Sequence, residues 1–307
     1  MIIYTTQSYK YFLETSGFMK MSVENGNVEF LKFPDGETYH QLKDDLRGKN
    51  VCLVGGTETD SSTLELYDMA CHIAKQKPKQ LIICIPYYGY STMERAVKHG
   101  EVVKAKSRAR LLSSIPGNNT FMFLDLHSEG IPHYLEGNAT PIHLYAKNII
   151  FSACKDLSNY KNDFVLGSTD AGRAKWVESL SKDMCVNCAI IIKRRSSGSE
   201  TEVTGINADV KDKHVIIYDD MIRTGGSIIR AAKAYKDAGA SKVSVVATHG
   251  VFSEGENVPK KLLDSGIDAV AVTNSHPNAM KYQDFSMRFK VYDISDLLFA
   301  YIPNYSN

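Results

Sequence analysis

Apolar runs alternate with segments of helical periodicity along the chain. The runs are apolar nearly throughout instead of at every second residue, which is typical of strands in parallel sheets that helices cover on both faces. Eight runs have this character, at residues 51–56, 80–87, 120–126, 163–169, 188–194, 214–220, 242–249 and 269–275. The pattern therefore predicts an α/β protein with mainly parallel sheets.

The segments between these runs carry apolar residues at three-to-four spacing, which is the repeat of an amphipathic helix. The strongest predicted helices cover residues 61–75, 103–115, 141–157, 172–180 and 226–238. The predicted strands and helices fall into two groups along the chain, with a boundary near residues 145–160. No low-complexity linker marks this boundary. We therefore expect two domains in close contact.

Composition and charge add to this picture mainly by what they exclude. Hydrophobic residues make up 43% of the 307 residues, and the formal net charge is +1 with acids and bases interspersed. Such a balance provides no basic face for nucleic acid, so phosphate would have to bind at a local site. Because neither a signal-like segment nor an apolar run of membrane-spanning length is present, we expect a soluble, cytoplasmic protein that binds no nucleic acid and no membrane.

The six cysteines include one pair with a chemical spacing, Cys185 and Cys188. A CxxC pair can bind zinc beside a second ligand pair, or act as a redox motif where it opens a helix. This pair instead enters the apolar run 188–194, and the other four cysteines lie in apolar or helical surroundings. We favour reduced thiols that pack as small hydrophobic side chains, with a metal or redox role as the alternative.

Polar residues of chemical interest lie where several predicted strands end. They are Asp125 with His127, Asp170, the basic run 193–195, and Asp219 with Asp220. Each alone could be a solvated strand end, and Asp170 could simply cap a helix. Because ligands of parallel sheets bind beyond the carboxyl ends of the strands, the four together predict a functional site.

The segment 214–232 combines a strand, paired acids and a turn with two glycines. After Asp219 and Asp220, the turn Arg223-Thr224-Gly225-Gly226-Ser227 leads into a predicted helix, where N–H groups and hydroxyls suit an anion. The carboxylates repel phosphate, and they suit sugar hydroxyls or a metal that bridges to phosphate. A phosphorylated sugar satisfies both halves of the segment.

The pattern Asp-Asp-x-x-x-Thr-Gly-Gly-Ser resembles the phosphoribosyl pyrophosphate motif shared by type I phosphoribosyltransferases and ribose-phosphate pyrophosphokinases. Further landmarks favour the second family and follow its order, at residues 33–37, 85–90, 125–131, 192–195, 247–253, 272–275 and 294–302. The resemblance covers nearly the full length. It implies two similar phosphoribosyltransferase-like domains, 1–147 joined by a C-terminal helix at about 293–307, and 148–292 with the sugar-phosphate site.

The family resembled here transfers the pyrophosphoryl group of ATP to the 1-hydroxyl of ribose 5-phosphate and releases AMP, with magnesium. The resemblance implies that Asp219, Asp220 and the turn 223–227 bind ribose 5-phosphate. It also implies His127 and Asp170 as ligands of Mg²⁺. Because magnesium prefers oxygen ligands, His127 is the less typical of the two.

Lys193 and Arg195 are the catalytic residues that the resemblance implies. Phosphoryl transfer depends on positioning and on neutralising charge on the transferred group, and a lysine with an arginine supplies suitable donors. The polar stretch 194–213 begins there, and it predicts either a lid over the nucleotide or a plain surface excursion.

Nucleotide binding is implied for Phe33, Asp35, Glu37, Arg95 and His127. In the family the first three come from a neighbouring subunit. The resemblance therefore implies a homo-oligomer, either a dimer or a hexamer of dimers, with active sites at subunit interfaces.

The chain departs from the family pattern at two places. Thr92 and Met93 stand where the family has arginine and glutamine near the nucleotide, and Arg223 stands where it usually has an acid. Loss of a guanidinium and an amide removes charge-assisted contacts. The altered nucleotide contacts keep open a non-catalytic paralogue that regulates an active synthetase, and the shared sugar-phosphate motif keeps open a type I phosphoribosyltransferase.

Overall fold

The computed structural model describes residues 1–21, 23–161, 163–195, 201–253 and 257–302. The chain forms two compact units, Met1–Tyr145 with Asp293–Asn307 and Ala146–Tyr292. The strands are β1 (Ile2–Thr5), β2 (Glu24–Asn25), β3 (Val28–Lys32), β4 (Thr38–Leu42), β5 (Asn50–Val54), β6 (Gln80–Ile85), β7 (Asn119–Leu124), β8 (Thr140–Leu144), β9 (Phe164–Ser168), β10 (Asn187–Ala189), β11 (Ile191–Arg195), β12 (Thr201–Ile206), β13 (His214–Ile222), β14 (Lys242–Gly250), β15 (Ala269–Thr273) and β16 (Phe289–Tyr292). The helices are α1 (Ser16–Met19), α2 (Asp60–Lys75), α3 (Lys104–Ser113), α4 (Lys147–Leu157), α5 (Ala174–Met184), α6 (Gly226–Asp237), α7 (Asn257–Asp264), α8 (Pro277–Met280) and α9 (Ser295–Ala300).

The first unit is built on a six-stranded parallel sheet in the order β2-β1-β5-β6-β7-β8. Leu66 and Ile73 of α2 and Leu112 of α3 share one apolar core with Ile83 and Phe121 of the strands. Helices pack against the strands, so the strands lack the apolar-polar alternation of a half-exposed sheet. Strands β3 and β4 form a separate antiparallel hairpin.

The second unit repeats this topology with the order β10-β9-β13-β14-β15-β16, again all parallel. Ala231 and Tyr235 of α6 pack in one core with Ile217 of β13 and Val245 of β14. Each sheet has its second strand at one edge and its first strand beside it, and each unit places an antiparallel pair after its second strand. The two similar parallel-sheet units confirm the predicted fold class.

The helix predicted over residues 141–157 is wrong in its first part. Residues Thr140–Leu144 form the edge strand β8, which pairs in parallel with β7, and α4 begins only at Lys147. The apolar spacing of this short segment suits both structures, and the pairing with β7 decides between them. The predicted run 188–194 likewise divides into β10 and β11.

Helices in the described part of the chain are short. The longest of them, α2, has 16 residues. None of the helices in that part combines the length and the apolar character that crossing a bilayer requires.

Candidate active site

The register between β9 and β13 brings two of the predicted polar strand ends together. Ser168 lies opposite Tyr218, so the residues that follow them are neighbours at the carboxyl edge of the second sheet. The Thr169 hydroxyl accordingly donates to Asp219 Oδ2 at 3.2 Å. Parallel sheets bind ligands at this edge, so the paired acids lie where a substrate of such a sheet is expected.

Asp219 and Asp220 form a pair of mostly buried carboxylates inside β13, which continues to Ile222. Their side chains are 15% and 6% exposed. The N–H of Asp220 donates to Asp219 Oδ1 at 3.0 Å. Burial, followed by the neighbouring charge of Asp220, raises the pKa of Asp219 to about 8. Two like charges in a partly dry site need a cation close by.

That cation is Arg173, which the sequence analysis did not select. Its Nη2 lies 2.5 Å from Asp220 Oδ2, and its Nε lies 3.6 Å from Asp219 Oδ1. Arg173 ends a 3₁₀ turn, Ala171–Arg173, that follows β9, and its side chain is 18% exposed. The sequence contains no spacing signal for this contact, because only the pairing of β9 with β13 creates it.

Asp170 is the N-cap of the same 3₁₀ turn. Its Oδ1 accepts a hydrogen bond from the Gly172 N–H at 2.9 Å, and the residue is half-buried. The capping role that the sequence allowed is therefore present. A carboxylate has acceptor capacity beyond one such bond, so capping is compatible with metal binding.

The turn after β13 has the form of an anion site. Helix α6 begins at Gly226, and its N-cap, Gly225, has a φ of 75° and no side chain with which to cap the helix. Thr224 and Ser227 are exposed beside the first turn, and Arg230 Nη2 lies 3.4 Å from Ser227 Oγ. The N–H groups at the start of α6 are therefore available to a phosphate.

The corresponding helix of the first unit is capped by its own side chains. Helix α2 follows β5, which holds the same sheet position as β13. Its N-terminus carries a capping box, in which the Ser62 N–H donates to Thr59 Oγ1 at 3.0 Å and the Thr59 N–H donates to Ser62 Oγ at 2.9 Å. Side chains therefore satisfy two N–H groups at the start of α2, whereas the N-cap of α6 has no side chain, so we expect the anion site in the second unit.

Replacing Gly225 by alanine is expected to destabilise the second unit by about 1–2 kcal/mol, because its positive φ disfavours any side chain. The new Cβ would also lie 3.0 Å from Leu262 Cδ2. Chemical denaturation measures the free energy of unfolding. Gly226→Ala is the matched control, since the nearest atom to its Cβ is the flexible Arg230 guanidinium at 3.5 Å. Equal stability of the two variants would contradict the prediction.

Residues 33–37 form the turn of the β3–β4 hairpin. The Phe33 N–H donates to the Glu37 carbonyl at 2.8 Å, and the Glu37 N–H donates to Asp35 Oδ1 at 3.1 Å. Gly36 allows the turn with a φ of 98°. The Phe33 side chain is 45% exposed, so it is accessible to a ligand or to another chain.

The segment that departs from the family pattern lies on the surface of the first unit. Thr92 and Met93 are exposed, and so is Arg95, whose Nε lies 3.3 Å from Glu94 Oε1. Tyr90, which precedes this segment, is held in place because its hydroxyl donates to Asp60 Oδ1 at 2.7 Å. From α3, Arg108 pairs with Asp60 and lies over the Tyr90 ring, and Lys104 lies over the same ring; the sequence analysis did not detect this basic cluster.

His127 follows the end of β7, and the two residues before it are held by a tight turn and a hydrogen bond. Asp125 is buried with a φ of 38°, and the Leu126 N–H donates to His143 Nε2 at 2.9 Å. Burial lowers the pKa of His143, which favours the neutral ring that can accept this bond. His127 itself is half-buried beside the carboxyl end of the first sheet.

Lys193 and Arg195 lie in β11, which pairs with β12 in antiparallel fashion. Lys193 is opposite Val203, and Arg195 is opposite Thr201. The side chains of both residues, and residues 196–200 of the predicted lid, lie outside the described part of the protein.

Cys185 and Cys188 are free thiols in the structure. Cys185 is the exposed C-cap of α5, with a φ of 56°, and Cys188 lies in β10. Among the residues that the structure describes, no group of three or more His, Cys, Asp and Glu side chains has the arrangement of a metal site.

Comparisons with known proteins point to one family over both units. Residues 1–115 match the family described as the N-terminal domain of ribose phosphate pyrophosphokinase, and residues 168–305 match the phosphoribosyl synthetase-associated domain. The chain is 31% identical over 294 residues to a ribose-phosphate pyrophosphokinase from Haemophilus influenzae, covering 94% of this chain and 90% of that protein. It is 28% identical over 283 residues to one from Thermotoga maritima, covering 91% and 86%.

A solved structure supports the fold. The crystal structure of phosphoribosylpyrophosphate synthetase from Mycobacterium smegmatis aligns with a TM-score of 0.84 at 24% sequence identity. The alignment covers 97% of this chain and 96% of that chain.

Proposed function

Because the chain belongs to the ribose-phosphate pyrophosphokinase family, we propose that Asp219, Asp220 and the turn 223–227 bind the ribose 5-phosphate of the family reaction. In that reaction the 1-hydroxyl oxygen attacks the β-phosphorus of ATP. The bond from this phosphorus to the α,β-bridging oxygen breaks, the pyrophosphoryl group passes to the sugar, and AMP leaves while the hydroxyl proton is released.

One observation carries the assignment of the sugar site. A buried acid pair directly precedes a helix N-terminus that its own N-cap residue does not cap, within one strand-turn-helix unit. The acids accept hydrogen bonds from the ribose hydroxyls, and the α6 N–H groups with Thr224 and Ser227 donate to the 5-phosphate. The two halves match the two ends of the substrate.

Magnesium is the proposed cofactor, with Asp170 and His127 as its ligands. The half-buried Asp170 carboxylate has the oxygen chemistry that magnesium prefers, whereas the imidazole of His127 is the less typical ligand. The ion would neutralise charge on the nucleotide phosphates. A magnesium ion usually keeps several waters, so a small number of protein ligands fits it.

Phe33, Asp35, Glu37, Arg95 and His127 are proposed to bind ATP, and Lys193 and Arg195 to stabilise the transferred group. The exposed Phe33 ring offers a face for adenine, and the hairpin turn holds Asp35 and Glu37 beside it. Lysine and arginine donors lower the barrier most when they meet charge that develops in the transition state.

A homo-oligomer in the cytoplasm, with the 33–37 turn completing a neighbouring subunit's site, is the proposed state of assembly. The exposed aromatic turn at the tip of a hairpin supports this proposal. The relatives named as pyrophosphokinases match through both units, which supports an active enzyme over a regulatory paralogue or a phosphoribosyltransferase.

The function is tested by measuring AMP formation from ATP and Mg²⁺ with and without ribose 5-phosphate. We expect AMP only when the sugar phosphate is present. Absence of AMP with every nucleotide tried would contradict catalysis and would favour the regulatory alternative. Thr92, Met93 and Arg223 would then be the first residues to replace by those of the family pattern.

Binding of ribose 5-phosphate is expected to strengthen as pH rises through about 8, the raised pKa of Asp219. Below this pH the carboxyl holds a proton and loses acceptor capacity; above it both oxygens can accept from the ribose hydroxyls. The sugar phosphate loses its second proton near pH 6, so it is already doubly charged across this range. Calorimetric titration from neutral to alkaline pH measures the effect.

Asp220→Asn provides the control for this pH dependence. Removing the charge of Asp220 removes a cause that raises the pKa of Asp219, so the remaining pH dependence should move to lower pH. An affinity that stays constant with pH in the wild type would contradict the role of Asp219.

A further inference from the structure

Arg173 is the guanidinium that joins both acids of the proposed sugar site. It lies 2.5 Å from one oxygen of Asp220 and 3.6 Å from one oxygen of Asp219. Arg223, the arginine that the sequence placed next to these acids, is exposed. The cation that pairs with these two acids therefore comes from the turn that follows the neighbouring strand, β9.

Arg173 is one of three groups that orient the two carboxylates, with the Thr169 hydroxyl and the Asp220 N–H. Asp219 Oδ2 receives the Thr169 hydroxyl at 3.2 Å, and Asp219 Oδ1 receives the Asp220 N–H at 3.0 Å. Arg173 adds its Nε on the Oδ1 side and holds Asp220 through Oδ2. Each contact removes a rotamer that the side chain could otherwise adopt, so the acceptor atoms are preorganised before a ligand arrives.

Arg173 lies in the same 3₁₀ turn that Asp170 caps, so the acid pair Asp219–Asp220 and Asp170 are close in the fold. The 3₁₀ turn that starts at the Asp170 cap ends at Arg173, and the Asp170 carboxylate holds the turn through the Gly172 N–H at 2.9 Å. One short, hydrogen-bonded turn thus has a carboxylate at its N-cap and a guanidinium at its last residue. A surface ion pair made only for stability would not need this placement at the ligand edge of the sheet.

We propose that Arg173 is a positioning residue of the sugar site, which orients Asp219 and Asp220 to receive the hydroxyls of ribose 5-phosphate. This inference rests on the proposed role of those two acids. Arg173 acts through them and need not touch the substrate. Its loss should therefore appear in substrate binding more than in the chemical step.

The test compares Arg173→Gln, Arg173→Lys and Lys182→Gln with the wild type. For Arg173→Gln we expect the KM for ribose 5-phosphate to rise about tenfold or more, with kcat within about threefold and the KM for ATP unchanged. Arg173→Lys keeps the charge but loses the fork of donors, so its KM should lie in between. Lys182 pairs with Glu178 on the exposed face of α5, and its variant should match the wild type.

Direct binding of ribose 5-phosphate by calorimetry, without nucleotide, provides a second readout, and thermal melting shows which variants are folded. A folded Arg173→Gln that binds the sugar phosphate like the wild type would overturn the inference and leave Arg173 a structural ion pair. If Arg173→Gln does not fold, an unchanged KM in Arg173→Lys would overturn it instead.

Asp220→Asn separates this inference from the proposed sugar site. An unchanged KM for ribose 5-phosphate in Asp220→Asn would mean that the acids do not bind the sugar, and both proposals would fail together. A raised KM in Asp220→Asn with an unchanged KM in folded Arg173→Gln would overturn the positioning role alone. Raised values in both, with partial recovery in Arg173→Lys, are the expected result.

Discussion

Lys193→Ala is expected to lower kcat by about a hundredfold to a thousandfold, with binding of ribose 5-phosphate nearly unchanged. The reason is that a cation placed at the transferred group acts on charge that develops in the transition state, whereas the substrate sugar is bound by other residues. Steady-state AMP formation gives kcat, and calorimetry gives the affinity for the sugar phosphate.

Arg194→Ala is the matched control for this experiment. Arg194 has the same charge as Arg195 and stands between the two proposed catalytic residues in the sequence, and no catalytic role is proposed for it. Arg195→Ala should resemble Lys193→Ala, and Arg194→Ala should resemble the wild type. Normal turnover in Lys193→Ala would remove this residue from the mechanism, and an effect confined to Arg194→Ala would move the proposed catalytic role to Arg194.

Asp220→Asn is expected to lower kcat/KM for ribose 5-phosphate by about tenfold to a hundredfold, mainly through KM. The amide replaces a carboxylate oxygen by a donor, so it cannot accept from the sugar hydroxyls in the same way. It also breaks the buried ion pair with Arg173, in which the Asp220 side chain is only 6% exposed, and stability should fall by about 3 kcal/mol. Kinetics and chemical denaturation measure the two effects separately.

Asp237→Asn is the control for the loss of an ion pair alone. Asp237 pairs with Lys233 at 2.6 Å on the surface of α6, four residues along the same helix, and both side chains are mostly exposed. Such surface pairs contribute little, so this variant should keep both its stability and its KM. An Asp220→Asn variant as stable and active as Asp237→Asn would contradict both the buried pair and the sugar role.

The sequence predicted the fold class because parallel strands covered by helices are apolar nearly throughout, as in the runs 80–87 and 214–220. It also predicted the acid pair and the glycine turn, since both lie within one strand-turn-helix segment. Short elements without a distinctive pattern, such as β8 within the predicted helix 141–157, were not recoverable because strand pairing decided them. The site residues named from the resemblance stay predictions for the experiments above.

Local sequence by itself therefore determined the elements that depend on neighbouring residues: the parallel α/β units, the acid pair of β13 and the glycine turn at which α6 begins. Only the tertiary structure decided which cation meets the acid pair. Arg173 lies 46 residues before Asp219 in sequence, and the parallel register of β9 with β13 brings them together. Contacts across a sheet depend on that register, and no periodicity of the local sequence encodes it.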